Sequence, residues 1–166
     1  MKRMAFVGLL ILFPAIAHAG LEARFAFAFP TPDGRIHYVY RVLLVSGSLD
    51  PGSAFSQHVT LYDLPALIPG STNQPADWSG SVQATGSDAD DLPLTGKTDS
   101  PRLLNVTWTW NGTTAVEAPF DFGLFSFDLA GHGATSGTRL FIGQSSGSGA
   151  PRVLSGRTTG AIAVTP

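Results

Sequence analysis

Apolar and polar residues alternate with a period of two through most of the chain after residue 20, and this alternation constrains the fold more than any other feature. In residues 24–29 the alternation is strict and predicts three phenylalanines, Phe25, Phe27 and Phe29, on one face of a strand. No stretch after residue 20 sustains the i, i+3, i+4, i+7 spacing of an amphipathic helix. A chain patterned in this way buries its apolar side chains between sheets.

Turn residues divide this pattern into eight predicted strands. The strands are placed at residues 24–29, 36–45, 56–62, 80–85, 103–110, 120–129, 138–143 and 160–165. The first two are joined through Asp33-Gly34, a strong turn dipeptide, and are predicted to form a hairpin. The second half of 36–45 is apolar on both faces, which indicates a central strand.

Three further local features are predicted. The alternation changes phase within 120–129, which indicates either a bulge near Gly123 or burial on both faces. The segment 143–155 is rich in Gly and Ser and is predicted to be a mobile hairpin. The two long connections are 63–79 and 86–102, and one of them is predicted to carry a helical turn, with 64–68 the candidate.

We therefore predict an all-β fold, a two-sheet antiparallel β-sandwich that is Ig-like or jelly-roll-like with about eight strands. A sandwich is favoured over a closed barrel because the loop lengths are uneven. Residues 20–166 are long enough for one domain. The chain has no cysteine, so neither a disulfide framework nor a cysteine-based metal or redox site is available, and packing alone must hold the domain together.

The first nineteen residues have the three parts of a secretory signal peptide. Lys2 and Arg3 supply the basic start, and residues 4–16 carry no charged or polar side chain. Ala17 and Ala19 are the small residues expected before a cleavage site, so Gly20 is predicted to be the new N-terminus. An uncleaved membrane anchor is disfavoured because Pro14 interrupts an apolar run that is shorter than the about 20 residues needed to span a bilayer. The mature chain is predicted to be secreted or at the cell surface.

Composition and motifs exclude several functional classes. The net charge of −2, with only two lysines, argues against nucleic-acid binding. The sequence contains no Gly-x-Ser-x-Gly elbow, no His-Glu-x-x-His motif and no P-loop. His37 and His58 are predicted at strand positions and His132 in a loop, and none is assigned a catalytic role. We predict a non-enzymatic protein with no catalytic residues.

Two sets of residues are candidates for binding. Trp78 lies outside a clean strand pattern, and with Tyr62 it could stack on a sugar ring if exposed, although a core position is the more common case for such a tryptophan. Asp88, Asp90 and Asp91 supply carboxylates that suit Ca²⁺, but their spacing does not match an EF-hand. No cofactor is predicted apart from this possibility of calcium. Asn105 and Asn111 each begin an Asn-x-Thr sequon.

The order of aromatic segments resembles that of bacterial secreted proteins of the PEP-CTERM class. The segments that carry the resemblance are His37-Tyr-Val-Tyr-Arg, Val59-Thr-Leu-Tyr-Asp, Pro75-Ala-Asp-Trp, Asn105-Val-Thr-Trp-Thr-Trp and Phe122-Gly-Leu-Phe-Ser-Phe. The resemblance implies an envelope protein associated with exopolysaccharide production, and it implies no catalytic residues. The Pro-Glu-Pro motif, hydrophobic helix and basic tail that end members of this class do not precede Pro166, so the chain is either a free secreted relative or one whose tail is missing from this sequence.

These features rank the possible functions. First comes an exported, non-enzymatic β-sandwich that is an extracellular or cell-surface matrix component associated with exopolysaccharide. The alternative is a carbohydrate- or calcium-dependent binding module, and a fibre subunit or a small hydrolase ranks below both. The expected partners are a polysaccharide or further copies of the chain.

Overall fold

A computed structural model describes residues 20–86, 99–131, 134–147 and 150–163. These residues form ten strands and no helix, which confirms the all-β prediction. The strands are β1 (Gly20–Pro30), β2 (Arg35–Ser46), β3 (Ser48–Leu49), β4 (His58–Leu64), β5 (Trp78–Gln83), β6 (Leu104–Trp110), β7 (Val116–Glu117), β8 (Phe120–Ala130), β9 (Ala134–Gly147) and β10 (Ala150–Ala163). Eight of them overlap the predicted strands, although β9 and β10 are much longer than predicted, and β3 and β7 are additional strands of two residues each. The predicted leader, residues 1–19, lies outside the described part of the chain.

The strands form two antiparallel sheets, as predicted. The smaller sheet has the order β1-β2-β8, so β2 is its central strand and forms the predicted hairpin with β1. In the larger sheet β5, β6, β4 and β9 follow one another, β10 pairs with the other side of β9, and β3 and β7 extend one end. The two sheets face each other across one core.

Aromatic side chains dominate that core. Tyr38 and Tyr40 of β2 each lie 5.7 Å, between ring centroids, from Phe127 of β8 in a stacked arrangement. Trp108 of β6 comes from the opposite sheet, is fully buried and meets Phe125 edge-on at 5.3 Å. Such rings bury large apolar areas and gain further stabilisation from their relative orientation, so this cluster joins the two layers.

The strict alternation of β1 does not place its three phenylalanines on one face. The pairing of β1 with β2 shifts between Phe25 and Phe27, so Ala26 is an extra residue and the facing of the strand reverses there. Phe25 turns inward, 5.7 Å from the ring of Tyr40, whereas Phe27 and Phe29 turn outward and are 47% and 46% exposed. The prediction of a single phenylalanine face was wrong.

The predicted bulge near Gly123 is present in β8. Val42 pairs with Gly123 and Leu43 pairs with Asp121, which leaves Phe122 as the extra residue. Gly123 has a φ of 87°, a left-handed conformation that glycine adopts at no steric cost, and its amide donates to the Asp121 carboxylate at 2.9 Å. The bulge accounts for the change of phase that the sequence shows in 120–129.

Of the two predicted features of the connections, the helical turn at 64–68 is absent and the hairpin within 143–155 is present. Residues 64–68 form no helical turn: Pro65 and Ala66 make a tight turn, after which Leu67 bridges Leu129 on the free edge of β8. The Ile68 amide then donates to the Asp128 carbonyl at 3.0 Å, so this connection covers part of an edge strand. Within 143–155 the described residues continue β9 and β10 in uninterrupted register, because ladder hydrogen bonds need only the backbone and tolerate Gly and Ser.

The two sheets approach closely where β9 passes β1. A Cβ atom placed on Gly143 would lie 1.9 Å from the carbonyl oxygen of Leu21. Only glycine fits between the two backbones at this point. The contact fixes the first residues of β1, and Leu21 is fully buried.

Candidate functional site

The structure buries both residues that the sequence offered for ligand stacking. Trp78 is 4% exposed and meets Phe122 and Phe125 edge-on, each at 5.1 Å between ring centroids. Tyr62 is 1% exposed, and Gly86 packs so closely on its ring that an added Cβ would lie 2.1 Å from it. A sugar ring needs an accessible aromatic face, and neither side chain provides one. Both belong to the core.

The acidic residues Asp88, Asp90 and Asp91, predicted as calcium ligands, lie outside the described residues. Within the part that is described, no group of three or more His, Asp or Glu side chains is arranged to hold a metal ion. The neighbouring Asp99 is described and is occupied by protein donors: its carboxylate accepts from the Gly86 amide at 2.8 Å and from Asn105 Nδ2 at 3.0 Å. The Asp99 carboxylate thus connects Gly86 with Asn105.

Asn105 is the centre of this connection. Its side chain is fully buried in β6, and its Oδ1 accepts the Asp63 amide at 2.8 Å while Nδ2 donates to Asp99. Asp63 has a φ of 56° and sits where the pairing of β4 with β6 is irregular; its own carboxylate accepts the Ser100 amide at 2.9 Å. The amide of Asn105 is thus fully used inside the fold, and of the two sequon asparagines only Asn111 is exposed.

The histidines have different environments. His58 is 2% exposed and its Nδ1 lies 3.2 Å from Ser56 Oγ, which is a structural position in β4. His132 lies outside the described residues. His37 is on β2, and its Nδ1 lies 2.6 Å from Asp128 Oδ1 on the paired strand β8. Its side chain is 27% exposed, so it can still contact a ligand.

The most distinctive surface is the outer face of the three-stranded sheet, the side that points away from the second sheet. It consists of Phe27 and Phe29 on β1, His37, Val39 and Arg41 on β2, and Leu124 and Asp128 on β8. Phe27, Phe29 and Leu124 are each nearly half exposed. Val39 lies outside the core cluster yet is only 4% exposed. Apolar groups gathered on a surface in this way mark contact sites.

Three rings on this face form a continuous row, which we call the aromatic row: Phe27, Phe29 and His37. The rings of Phe27 and Phe29 are 6.2 Å apart at 24°, and those of Phe29 and His37 are 5.1 Å apart at 45°. The spacing follows from the structure of the hairpin, since Phe27 and Phe29 alternate on one strand and His37 pairs with Phe29 across it. Asp128 adds carboxylate oxygens at one end of the row.

Charges around the aromatic row are already paired. The three arginines near it each lie within salt-bridge distance of a carboxylate: Arg24 with Glu22 at 2.8 Å, Arg35 with Asp33 at 2.7 Å and Arg41 with Asp121 at 3.5 Å. The hydrogen bond from Arg24 to Glu22, together with the charge of that carboxylate, raises the pKa of the guanidinium above its usual value. The margins of this face are therefore polar, but their positive and negative charges largely balance.

A shallow apolar depression lies at the other end of the same sheet. Its volume is about 330 Å³, and it is lined by Leu43, Leu44, Val45, Pro119, Phe120 and Asp121. The peptide bond before Pro119 is cis, which directs the chain into β8 beside Phe120. A single carboxylate among apolar side chains supplies no pair of groups for acid–base chemistry.

The sequence did not reveal the aromatic row as a site. The alternation of residues 24–29 signalled the phenylalanines, but the reversal at Ala26 that turns two of them outward has no signature in the residue types. Comparison of the chain with protein-family models, with curated proteins and with solved structures gives no match. The resemblance to the PEP-CTERM class therefore stays a prediction. None of the described residues belongs to a helix that could cross a bilayer.

Proposed function

We propose that the chain is an exported, non-enzymatic β-sandwich that serves as a component of an extracellular or cell-surface matrix associated with exopolysaccharide. The observation that supports this function is the outer face of the three-stranded sheet, where half-exposed apolar rings lie among charges that are already paired. Sites for small molecules are usually concave, whereas a sheet face contacts an extended polymer or a neighbouring protein along its length.

The core supports the same function. Trp78 and Tyr62, the aromatic residues that the sequence offered for binding, are both buried, and Trp78 joins the two layers through its contact with Phe125. A domain without cysteine gains no stability from cross-links outside the cell, and it depends on this packing. Most of the aromatic side chains described thus stabilise the core, while Phe27 and Phe29 remain exposed for contact.

The experiment that tests this function is a fractionation. The full chain with a C-terminal tag is expressed in a bacterium that makes an exopolysaccharide and in an isogenic strain that does not. We expect a product that begins at Gly20 and is found in the matrix of the first strain but free in the medium of the second. An uncut chain retained inside the cells, or the same distribution in both strains, would contradict the proposal.

A further inference from the structure

We propose that the aromatic row of Phe27, Phe29 and His37 is a binding surface for a neutral polysaccharide. This inference rests on the proposed function and deepens it, because it names the surface and the chemical class of the ligand. A pyranose ring has a face lined by C–H groups and a rim of hydroxyls. The matching protein surface presents aromatic faces, with hydrogen-bonding groups beside them.

The rings meet the first requirement. Phe27 and Phe29 are exposed by nearly half, and their rings stack 6.2 Å apart at 24°, so together they present one apolar surface that the C–H face of a sugar can contact. The negative face of each ring attracts the slightly positive C–H groups of a sugar. Val39, which pairs with Phe27 across the hairpin, is buried, so the sheet beside the row is packed.

The His37–Asp128 pair meets the second requirement. With Nδ1 directed at Asp128, the other ring nitrogen of His37 bonds to no residue in the described ranges and is available to a hydroxyl. Asp128 Oδ2 lies 3.7 Å from Arg35, which leaves that oxygen without a close hydrogen bond to the guanidinium. The pair can thus exchange hydrogen bonds with hydroxyls at the end of the aromatic row.

The charge of the surface selects a neutral polymer over an acidic one. Each arginine near the row already has a carboxylate partner, so a uronic acid would lose hydration there without gaining an unpaired arginine. Asp128 also stands beside the rings and would repel a carboxylate on the ligand. A sugar chain without charge encounters neither cost.

The test uses affinity electrophoresis of the purified full chain, as the cell processes it, in gels that contain hydroxyethylcellulose, dextran or alginate. We expect a neutral polymer to retard the protein and alginate to leave it unretarded. The double variant Phe27→Ala/Phe29→Ala is expected to bind at least about tenfold more weakly. Phe55→Ala is the matched control, because Phe55 is 43% exposed but lies in the connection between β3 and β4.

Several results would overturn the inference. They are unchanged retardation of the double variant, equal loss in Phe55→Ala, binding of alginate alone, binding only to phosphatidylcholine vesicles, and a dimer in sedimentation that Phe27→Ala/Phe29→Ala abolishes. Thermal unfolding of each variant shows whether the fold is kept, and Asp128→Asn provides a second variant at the polar end.

The fractionation separates this inference from the proposed function. If the double variant still enters the matrix, the inference fails while the proposed function stands. If the unsubstituted chain binds a neutral polymer in gels through the aromatic row but never enters the matrix, the inference stands and the proposed function fails.

Discussion

A few polar side chains determine how the loops attach to the sandwich. The buried side-chain amide of Asn105 connects three places in the chain. They are Asp63 of β4, Asp99, and Ala84 directly after β5. Thr31 organises the β1–β2 turn, where its hydroxyl donates to Asp33 and accepts the Arg35 amide. Each of these contacts can be removed by one substitution.

Asn105→Ala leaves the Asp63 amide without its acceptor and Asp99 without its amide donor. We expect a loss of about 1–3 kcal/mol in the free energy of unfolding, because unpaired polar groups would stay buried. Urea denaturation followed by circular dichroism measures it. Asn111→Ala is the control, since that exposed amide bonds to Ser79 and should cost under about 0.5 kcal/mol. Equal losses in the two variants would contradict the assigned role of Asn105.

The turn gives a prediction about pH. The hydrogen bond from Thr31 holds the pKa of Asp33 below its ordinary value, so this contact stabilises the fold above that value and the contribution is lost as the pH falls through the lowered pKa. Thr31→Val should raise the pKa of Asp33, observed by NMR titration of its carboxyl carbon. Thr113→Val is the control, because it alters an exposed threonine elsewhere and should leave the pKa of Asp33 unchanged. An Asp33 titration that Thr31→Val does not move would refute this cause.

At the scale of strands, bulges decide which side chains reach the core and which reach the surface. The bulge at Gly123 reverses the facing within β8, and the one at Ala26 does the same within β1. The first could be predicted because the phenylalanines change phase beside a glycine. The second could not, since Ala26 fits the alternation of its neighbours and only the pairing with β2 makes it the extra residue.

The close approach of β9 to β1 predicts a strong effect from a single methyl group. In Gly143→Ala the new Cβ would meet the Leu21 carbonyl, and since backbone cannot rotate away, the sheets must separate locally. We expect about 1–3 kcal/mol of destabilisation, measured as a lower denaturation midpoint. Gly52→Ala is the control because its Cβ would make only an ordinary contact of 3.4 Å with Asp50. If Gly143→Ala were as stable as Gly52→Ala, β9 and β1 would have to be farther apart than the structure shows.

Taken as a whole, the molecule is held by one aromatic core between two sheets. The two layers and the predicted strands followed from local alternation, because a period of two is visible along the sequence. For Trp78 a buried position was the more common case, but its partners could not be predicted, because Phe122 and Phe125 come from β8, far along the chain and on the opposite sheet. The outward positions of Phe27 and Phe29 on β1 likewise depend on pairing with another strand, so local patterns could not predict them.

The core should respond in a graded way at Trp108. Trp108→Ala removes a fully buried ring and should cost about 3–5 kcal/mol, whereas Trp108→Phe keeps an aromatic contact with Phe125 and should cost less. The indole N–H makes no hydrogen bond within the described residues, so its loss adds no penalty. Guanidinium denaturation of both variants, with Phe55→Ala as a surface control, measures and ranks the losses in the free energy of unfolding. Equal losses in the two tryptophan variants would contradict this role of the ring in the core.

The burial of Leu21 also bears on the order of events during maturation. Gly20 pairs with Ser46 and Leu21 is fully enclosed, so a cut between Ala19 and Gly20 falls at the very start of a packed strand. A peptidase must bind residues on both sides of the bond that it cleaves, and Gly20 and Leu21, on one side of it, are buried once β1 has docked. If residues 1–19 are a leader, cleavage therefore precedes closure of the sandwich. Slow cleavage would leave a partly folded chain in which β2 lacks one of its two neighbouring strands.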